Sequence, residues 1–175
     1  MNDHLKTYEL NFLREAYRHA FHNATDPSTQ NGAIIISTDG RGSYGANHFP
    51  KNVVESTERW KRPLKYQFVE HAERNAIYAA AKEGIPTEGA TMYCPWAACT
   101  DCMRGIIQCG IKKLVTHHNP LADTRFGQPV SDLWKESIKI ALEMLRESGV
   151  ELVYYDDKLF DESFEYRFNG MIVNP

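Results

Sequence analysis

The 175-residue chain has no apolar run near the roughly 18 residues of a membrane span, and it carries no internal repeat or low-complexity tract. It has no excess of basic charge either. Lys and Arg number 20 against 23 Asp and Glu, a formal charge of −3, which argues against a nucleic-acid partner and leaves only a local basic patch to serve one. Cysteine is scarce, at four residues, and the polar, acidic start Met1-Asn2-Asp3-His4 does not read as a secretory signal. Those four thiols therefore point to metal or thiol chemistry rather than disulfides, and the expected location is cytoplasmic. What remains is an ordinary globular composition, long enough for one domain with a proper core. We expect a single domain over 1–175, with its core in about 1–155 and an extension over 156–175.

Periodicity divides the chain into strands and helices. Leu5, Tyr8, Phe12, Leu13, Ala16, Tyr17, Ala20 and Phe21 recur at helical spacing, predicting an amphipathic helix over about 4–23. Gly32 to Ser37 is a β-branched apolar run, Thr38 to Gly42 a hairpin turn, and Ser43 to His48 the returning antiparallel strand. Residues 49–68 are irregular and rich in Lys51, Arg59, Lys61, Arg62 and Lys65. They read either as a solvated loop or as an anion-binding flap beside a site. An alanine-rich helix follows over about 71–83, stopped by Gly84 and Pro86. A third strand spans Thr91–Cys94 and a helix runs from near Cys99 to Gly110. A fourth strand lies within Lys113–His117, and a long loop covers 118–130. The last helix is marked by Leu133, Ile138, Ala141, Leu142 and Leu145, and a fifth strand spans Val150–Tyr155. The strand–helix–strand–helix–strand order predicts that strands three, four and five are parallel. The tail carries Phe160, Phe164, Tyr166, Phe168, Met171 and Ile172, so it should pack on the body or on another subunit.

Two short pieces carry the chemistry: His71-Ala72-Glu73 and Cys99-Thr100-Asp101-Cys102. Zinc favours His and Cys ligands, and three of them leave a fourth position for water. Cys99 and Cys102 are i and i+3, on one helix face. If the helix begins at Cys99, both sulfurs sit at its positive end, which favours thiolates. Zinc bound there brings the pKa of its water to about 7. Glu73, close to the ligands without being one, can pass protons between that water and a substrate. A closed structural site is the competing reading. Cys109 lies about 10 Å along the helix from Cys102, too far to join. Cys94 is not excluded by spacing as a fourth ligand, but a closed site would leave Glu73 unexplained.

A histidine and glutamate spaced HxE with a downstream CxxC is the signature of zinc deaminases. The surrounding segments resemble the deoxycytidylate (dCMP) deaminase family within the cytidine deaminase-like superfamily. They are Asp26-Pro-Ser-Thr-Gln-Asn-Gly-Ala33, Gly45-Ala-Asn-His-Phe-Pro50, Trp60-Lys-Arg62, His71-Ala-Glu-Arg-Asn-Ala-Ile77, Pro95-Trp-Ala-Ala-Cys-Thr-Asp-Cys102 and Ile106-Ile-Gln-Cys-Gly-Ile111. The chain departs from the family pattern at Ala98, where proline is usual, and at His48, where glycine is common. The resemblance implies a three-layer α/β fold, a mixed five-stranded sheet with helices on both faces and strands four and five parallel. It implies hydrolysis of dCMP to dUMP and ammonia, with Zn2+ held by His71, Cys99 and Cys102 and Glu73 as proton shuttle. It implies Asn47 on the sugar hydroxyl and the backbone of Ala72 on the base. It also implies a homo-oligomer, family members including hexamers, with dCTP and dTTP as effectors. From the residues themselves, Arg59 and Arg62 are the first candidates for the 5′-phosphate. The Thr25–Gln30 turn and Arg125 are the next. His117, leaving strand four at its carboxyl end, is either a pocket residue or a loop histidine. Polynucleotide and free-nucleoside deaminases, deaminases of riboflavin synthesis and a non-enzymatic zinc module are the competing functions.

Overall fold

Side-chain parity along three central strands explains the architecture. In β1 (Gly32–Ile36), Ala33 and Ile35 face one core and Ile34 the other; Met92 and Tyr93 of β3 (Thr91–Tyr93) divide in the same way, as do Leu114 and Val115 of β4 (Lys113–His117). A sheet apolar on both faces needs a layer on each side. In a computed structural model describing residues 3–122, 124–126, 128–160 and 164–175, those layers are α1 (Asp3–Asn23) on one face and α3 (Ala72–Glu83), α4 (Thr100–Gln108) and α5 (Asp132–Ser148) on the other. With β2 (Gly42–Ala46) and β7 (Glu151–Tyr155), the sheet order is β2-β1-β3-β4-β7. β1 runs antiparallel to β2 and β3, while β3, β4 and β7 are parallel. The fold is thus the mixed five-stranded, three-layer α/β arrangement expected. Helices α3 and α5 end at Gly84 and Gly149, both left-handed (φ 66° and 74°), as the glycine stops required.

Three elements differ from the sequence reading. The buried stripe of α1 is Glu9, Leu10, Leu13, Ala16, Tyr17 and Ala20, whereas Leu5, Tyr8 and Phe21 are exposed. The helix is rotated towards Glu9 because its carboxylate is paired inside, with Lys113 Nζ at 2.7 Å and the Tyr155 hydroxyl. The 49–68 segment contains a short helix, α2 (Lys65–Phe68), and an aromatic cluster of Phe49, Trp60 and Phe68. The 118–130 loop holds a small hairpin of β5 (Thr124–Arg125) and β6 (Gln128–Pro129), and Gly127 of that loop lies outside the described residues.

The tail packs on its own chain. Leu159, Phe160 and Tyr166 are buried in the α1-side core, and Phe164 and Phe168 rest on it. Hairpin β8 (Tyr166–Phe168) and β9 (Met171–Val173) is fastened to the segment before β1: Gln30 N–H donates to Arg167 O at 2.9 Å, and Arg167 N–H donates to Gln30 Oε1 at 2.8 Å. The tail's aromatics are therefore accounted for within one chain. Among the described residues no helix is long and apolar enough to cross a membrane.

Candidate active site

Two helix starts meet at one point. His71 is the N-cap of α3 and Cys99 the N-cap of α4, both with extended backbone, and Cys102 lies in the first turn of α4. The start of α3 is pressed onto β2, where Gly45 leaves no room for a side chain: a Cβ there would lie 2.2 Å from Ala72 O. Asn47 Oδ1 accepts the Ala72 N–H at 2.9 Å, and Asn75 Nδ2 donates to Ala46 O at 2.7 Å. The start of α4 is tied to α5 by the Thr100 N–H donating to Ser137 Oγ at 3.1 Å.

His71, Cys99 and Cys102 converge, their ligand atoms all within 4.8 Å of one another. His71 Nδ1 is 3.6 Å from each sulfur. Zinc–sulfur and zinc–nitrogen bonds of about 2.3 and about 2.05 Å at a tetrahedral angle put sulfur and nitrogen about 3.6 Å apart, so this trio fits zinc. Among the described residues this is the sole such group, and Cys94 is not in it. Cys94 is buried beside Asn31, whose Nδ2 donates to its sulfur at 3.5 Å, and burial pushes its thiol pKa up. Among the described residues the candidate ligand set is therefore three. The Cys102 thiol donates to Cys99 and, with His71, brings the Cys99 pKa down to about 3 against the effect of burial. Arg74 Nη1 donates to Cys102 Sγ at 3.3 Å while its Nε and Nη2 grip Glu70, which places a fixed positive charge beside the second sulfur.

Glu73 is 2% exposed, and its Oε2 has no hydrogen-bond partner. Burial raises its pKa, the His71 charge opposing and the Cys99 thiolate adding to the rise. A buried carboxyl oxygen left without a partner is rare, and with a raised pKa in a cleft it makes Glu73 a candidate proton carrier. His71, Glu73 and Cys99 open onto a cavity of about 420 Å³, within the size range of small-molecule sites. Its walls include Thr29, Asn31, Asn47, Arg62, Lys65, Tyr66, Trp96, Arg125, Trp134, Phe168 and Asn169. The Trp134 ring stands 6.0 Å from the His71 ring and 6.1 Å from that of Tyr66.

The structure thus gathers His71, Glu73, Cys99, Asn47 and Arg62 at one cavity, with Cys102 behind the wall. Asn47 is engaged with Ala72 N–H and, through Nδ2, with Thr29 O at 3.3 Å. A carboxamide has two donors and two acceptor lone pairs, so one of each is left over. The backbone of Ala72 serves that inner contact, and Ala72 is not part of the cavity lining. Two expected contacts are elsewhere. Arg59 is not on the cavity wall; its guanidinium lies 4.6 Å over the Phe68 ring and donates to Val54 O at 2.7 Å. His117 shares the strand parity of Val115 and so points to the α1 side. There its Nε2–H donates to Asp157 O at 2.9 Å and its Nδ1 accepts from the Tyr17 hydroxyl at 2.8 Å. Burial takes its pKa down to about 4, so it is neutral and fully engaged. Lys65 is named in sequence only as one cation of the 49–68 stretch, and Trp134, Phe168 and Asn169 are not assigned to a site there. Lys65 was submerged in a charged stretch, Trp134 in a helix stripe, and the last two reach the cavity only because the tail folds back.

Comparison with known proteins agrees with this geometry. The family described as the cytidine and deoxycytidylate deaminase zinc-binding region matches residues 6–118. A deaminase encoded in the luxG 3′ region of Aliivibrio fischeri is 32% identical over 129 residues, covering 74% of this chain and 81% of that protein. The deoxycytidylate deaminase of Mus musculus is 33% identical over 121 residues, covering 65% of this chain and 66% of that enzyme. Among solved structures, the dCMP deaminase of cyanophage S-TIM5 in complex with dCMP and dUMP superposes with a TM-score of 0.61 at 22% identity, over 89% of this chain and 99% of that one. With a family match over residues 6–118 and a metal-fitting trio inside it, the chain belongs to the cytidine and deoxycytidylate deaminase family of zinc-binding hydrolytic deaminases.

Proposed function

We propose that this chain removes the 4-amino group of dCMP by hydrolysis, giving dUMP and ammonia. The observation that carries the reading is the three-ligand group, with the unpaired carboxyl of Glu73 beside it on the wall of a nucleotide-sized cavity. Relatives named deoxycytidylate deaminases at 31–33% identity support the choice of substrate.

Zinc held by His71, Cys99 and Cys102 would supply the Lewis acid that makes a water nucleophilic at neutral pH. Glu73 takes one proton of that water and delivers it to N3 of the cytosine as the new C4–O bond forms. It then carries the second proton to the exocyclic nitrogen, so that the C4–N bond breaks with ammonia as the leaving group. Its raised pKa suits both directions of transfer. The spare donor and acceptor of Asn47 meet the sugar hydroxyl. Tyr66 and Trp134 give the planar base an aromatic wall. The place of action is the cytoplasm. A homo-oligomer held through α5, which exposes Leu133 and Ile140, belongs to the same reading.

Ammonia release from dCMP, deoxycytidine, dCTP and a cytosine-containing oligonucleotide tests the substrate, with dCTP and dTTP added as trial effectors. Two phosphate contacts at about 1.5–3 kcal/mol each predict dCMP preferred over deoxycytidine by about a hundredfold or more in kcat/KM. Equal values for the two would overturn the monophosphate reading. Glu73→Gln should keep its zinc and lose about 10²–10⁴-fold in turnover. Loss of the metal, or retention of activity, would remove Glu73 from the shuttle role.

A further inference from the structure

Among the described residues three cations line the cavity, Arg62, Lys65 and Arg125, and their partners differ. Lys65 is neutralised within the protein: its Nζ lies 2.6 Å from Asp26 Oδ2, and both side chains are buried. Arg62 Nη2 donates to two neutral oxygens, Ser28 Oγ and Asn169 Oδ1, each at 3.1 Å. Arg125 is the exception. It is 8% exposed, its Nε has no hydrogen-bond partner, and among the described residues no carboxylate pairs with it. The titratable groups coupled to it are Tyr17, Cys94 and Tyr166, which burial keeps protonated, and His117 and His118, whose pKa burial lowers, so none of them offers it a negative charge. One face of the guanidinium rests on the Trp96 ring, 4.5 Å from its centroid. That stack fixes the plane of the fork and leaves its edge for a ligand.

Buried charges in folded proteins are paired, because taking an ion out of water costs several kcal/mol. An arginine held in a cavity without a counter-ion is a protein group waiting for one. The fold also holds this arginine on purpose-built support. It sits on the β5–β6 hairpin, whose Phe126 ring meets Trp96 at 5.4 Å and the tail's Phe168 at 5.8 Å.

We propose that Arg125 is the anion receptor of this cavity and that the anion it takes is the 5′-phosphate of the nucleotide substrate. Its planar fork suits two phosphate oxygens at once. Arg62 supplies a second, more exposed charge from the opposite part of the chain. Arg125 thus sets the choice between nucleotide and nucleoside without touching the reacting carbon. The assignment of the anion as a substrate phosphate rests on the nucleotide deaminase reading above.

Arg125→Met keeps much of the stack on Trp96 and removes the charge; Arg125→Lys keeps the charge and loses the fork. The zinc-loaded proteins are compared in two assays. In the first, the ratio of kcat/KM for dCMP over deoxycytidine should fall at least about 30-fold in Arg125→Met, the equivalent of about 2 kcal/mol, with Arg125→Lys in between. In the second, dUMP and inorganic phosphate should each raise the thermal midpoint of the parent and not that of Arg125→Met. Ligand-free Arg125→Met should melt no lower than the parent, since it loses an uncompensated buried charge. A preserved substrate ratio overturns the proposal while the deaminase reading stands. A ligand-free midpoint well below the parent's makes Arg125 a structural residue and also overturns it. If the parent deaminates no cytosine nucleotide yet phosphate still stabilises it through Arg125, the receptor stands and the deaminase reading falls.

Discussion

Gly45→Ala should damage the metal site without touching a ligand. The added Cβ would lie 2.2 Å from Ala72 O, 2.3 Å from Ala76 N and 2.9 Å from the Asn75 carbonyl carbon. These are backbone atoms, so no side chain can swing away. Ordinary contact begins near 3.4 Å, and the start of α3 must therefore back off by about 1 Å, an overpacking that costs about 1–3 kcal/mol. The same retreat lengthens the Ala72–Asn47 and Asn75–Ala46 hydrogen bonds, now 2.9 and 2.7 Å, each contributing about 1 kcal/mol. At about 2–4 °C per kcal/mol for a chain of this length, the thermal midpoint should drop by roughly 6–20 °C. The retreat also carries His71 away from Cys99 and Cys102, and metal sites tolerate only about ±0.2 Å in ligand distance. Bound zinc per chain and turnover should consequently fall together. Leu13→Ala is the control, a deletion in the core on the opposite face that costs about 2–5 kcal/mol and should leave zinc content at parental level. Thermal denaturation, metal analysis and ammonia release on the same preparations decide it. Stoichiometric zinc in Gly45→Ala, with a midpoint within about 2 °C of the parent, would refute the argument.

Cys94→Ser should leave zinc at about one per chain, because Cys94 pairs with Asn31 and stands outside the ligand trio; metal lost on this change would mean a closed site. Arg74→Gln removes the charge facing the Cys102 sulfur and should weaken zinc binding about 10–100-fold, read by competition with a chelator. Lys65→Met strands the buried Asp26 carboxylate and should cost about 3–5 kcal/mol in denaturant unfolding. Adding Asp26→Asn should recover most of that loss, and no recovery would mean that the pair is not the source.

Local chemistry was legible in the sequence and assembled chemistry was not. His71, Glu73, Cys99 and Cys102 could be read because each pair is a few residues apart at a helix start, where spacing alone fixes geometry. The parallel order of β3, β4 and β7 followed from alternation with helices. The buried face of α1 was misjudged because Glu9 looks like a surface residue until Lys113 and Tyr155, far along the chain, are brought to it. The position of His117 at a strand end leaves a pocket residue and a loop histidine equally readable. Which face it takes depends on parity relative to Val115, and the α1 side won. Arg59 and Arg62 are three residues apart in one basic stretch. Only the fold shows that Arg59 turns onto Phe68 while Arg62 reaches the cavity.

The family match stops at residue 118, and the cavity does not. The residues proposed to handle the metal and the protons all lie inside the matched span: His71, Glu73, Arg74, Cys99 and Cys102. Arg125, Trp134, Phe168 and Asn169 lie beyond it, on the β5–β6 hairpin, α5 and the tail. Hydrolysis at a cytosine C4 needs the first set whatever the rest of the substrate is. Discrimination between a nucleotide, a nucleoside and a polynucleotide needs groups that reach past the base, and on the proposed reading those are Arg125 and Arg62, supported by Phe168 and Asn169. The tail has a direct part in this. Its hairpin is bonded to the Ser28–Gln30 segment through Gly170 N–H to Ser28 O at 2.8 Å and Asn169 N–H to Thr29 Oγ1 at 3.2 Å. It thereby holds Asn169 against Arg62 and Phe168 against Trp96. Loosening that hairpin would release both cationic sides of the cavity while leaving the His71, Cys99 and Cys102 cluster on its own helices. On the proposed reading, substrate choice in this chain is separable from its chemistry, and the element that separates them is the β8–β9 hairpin of the tail.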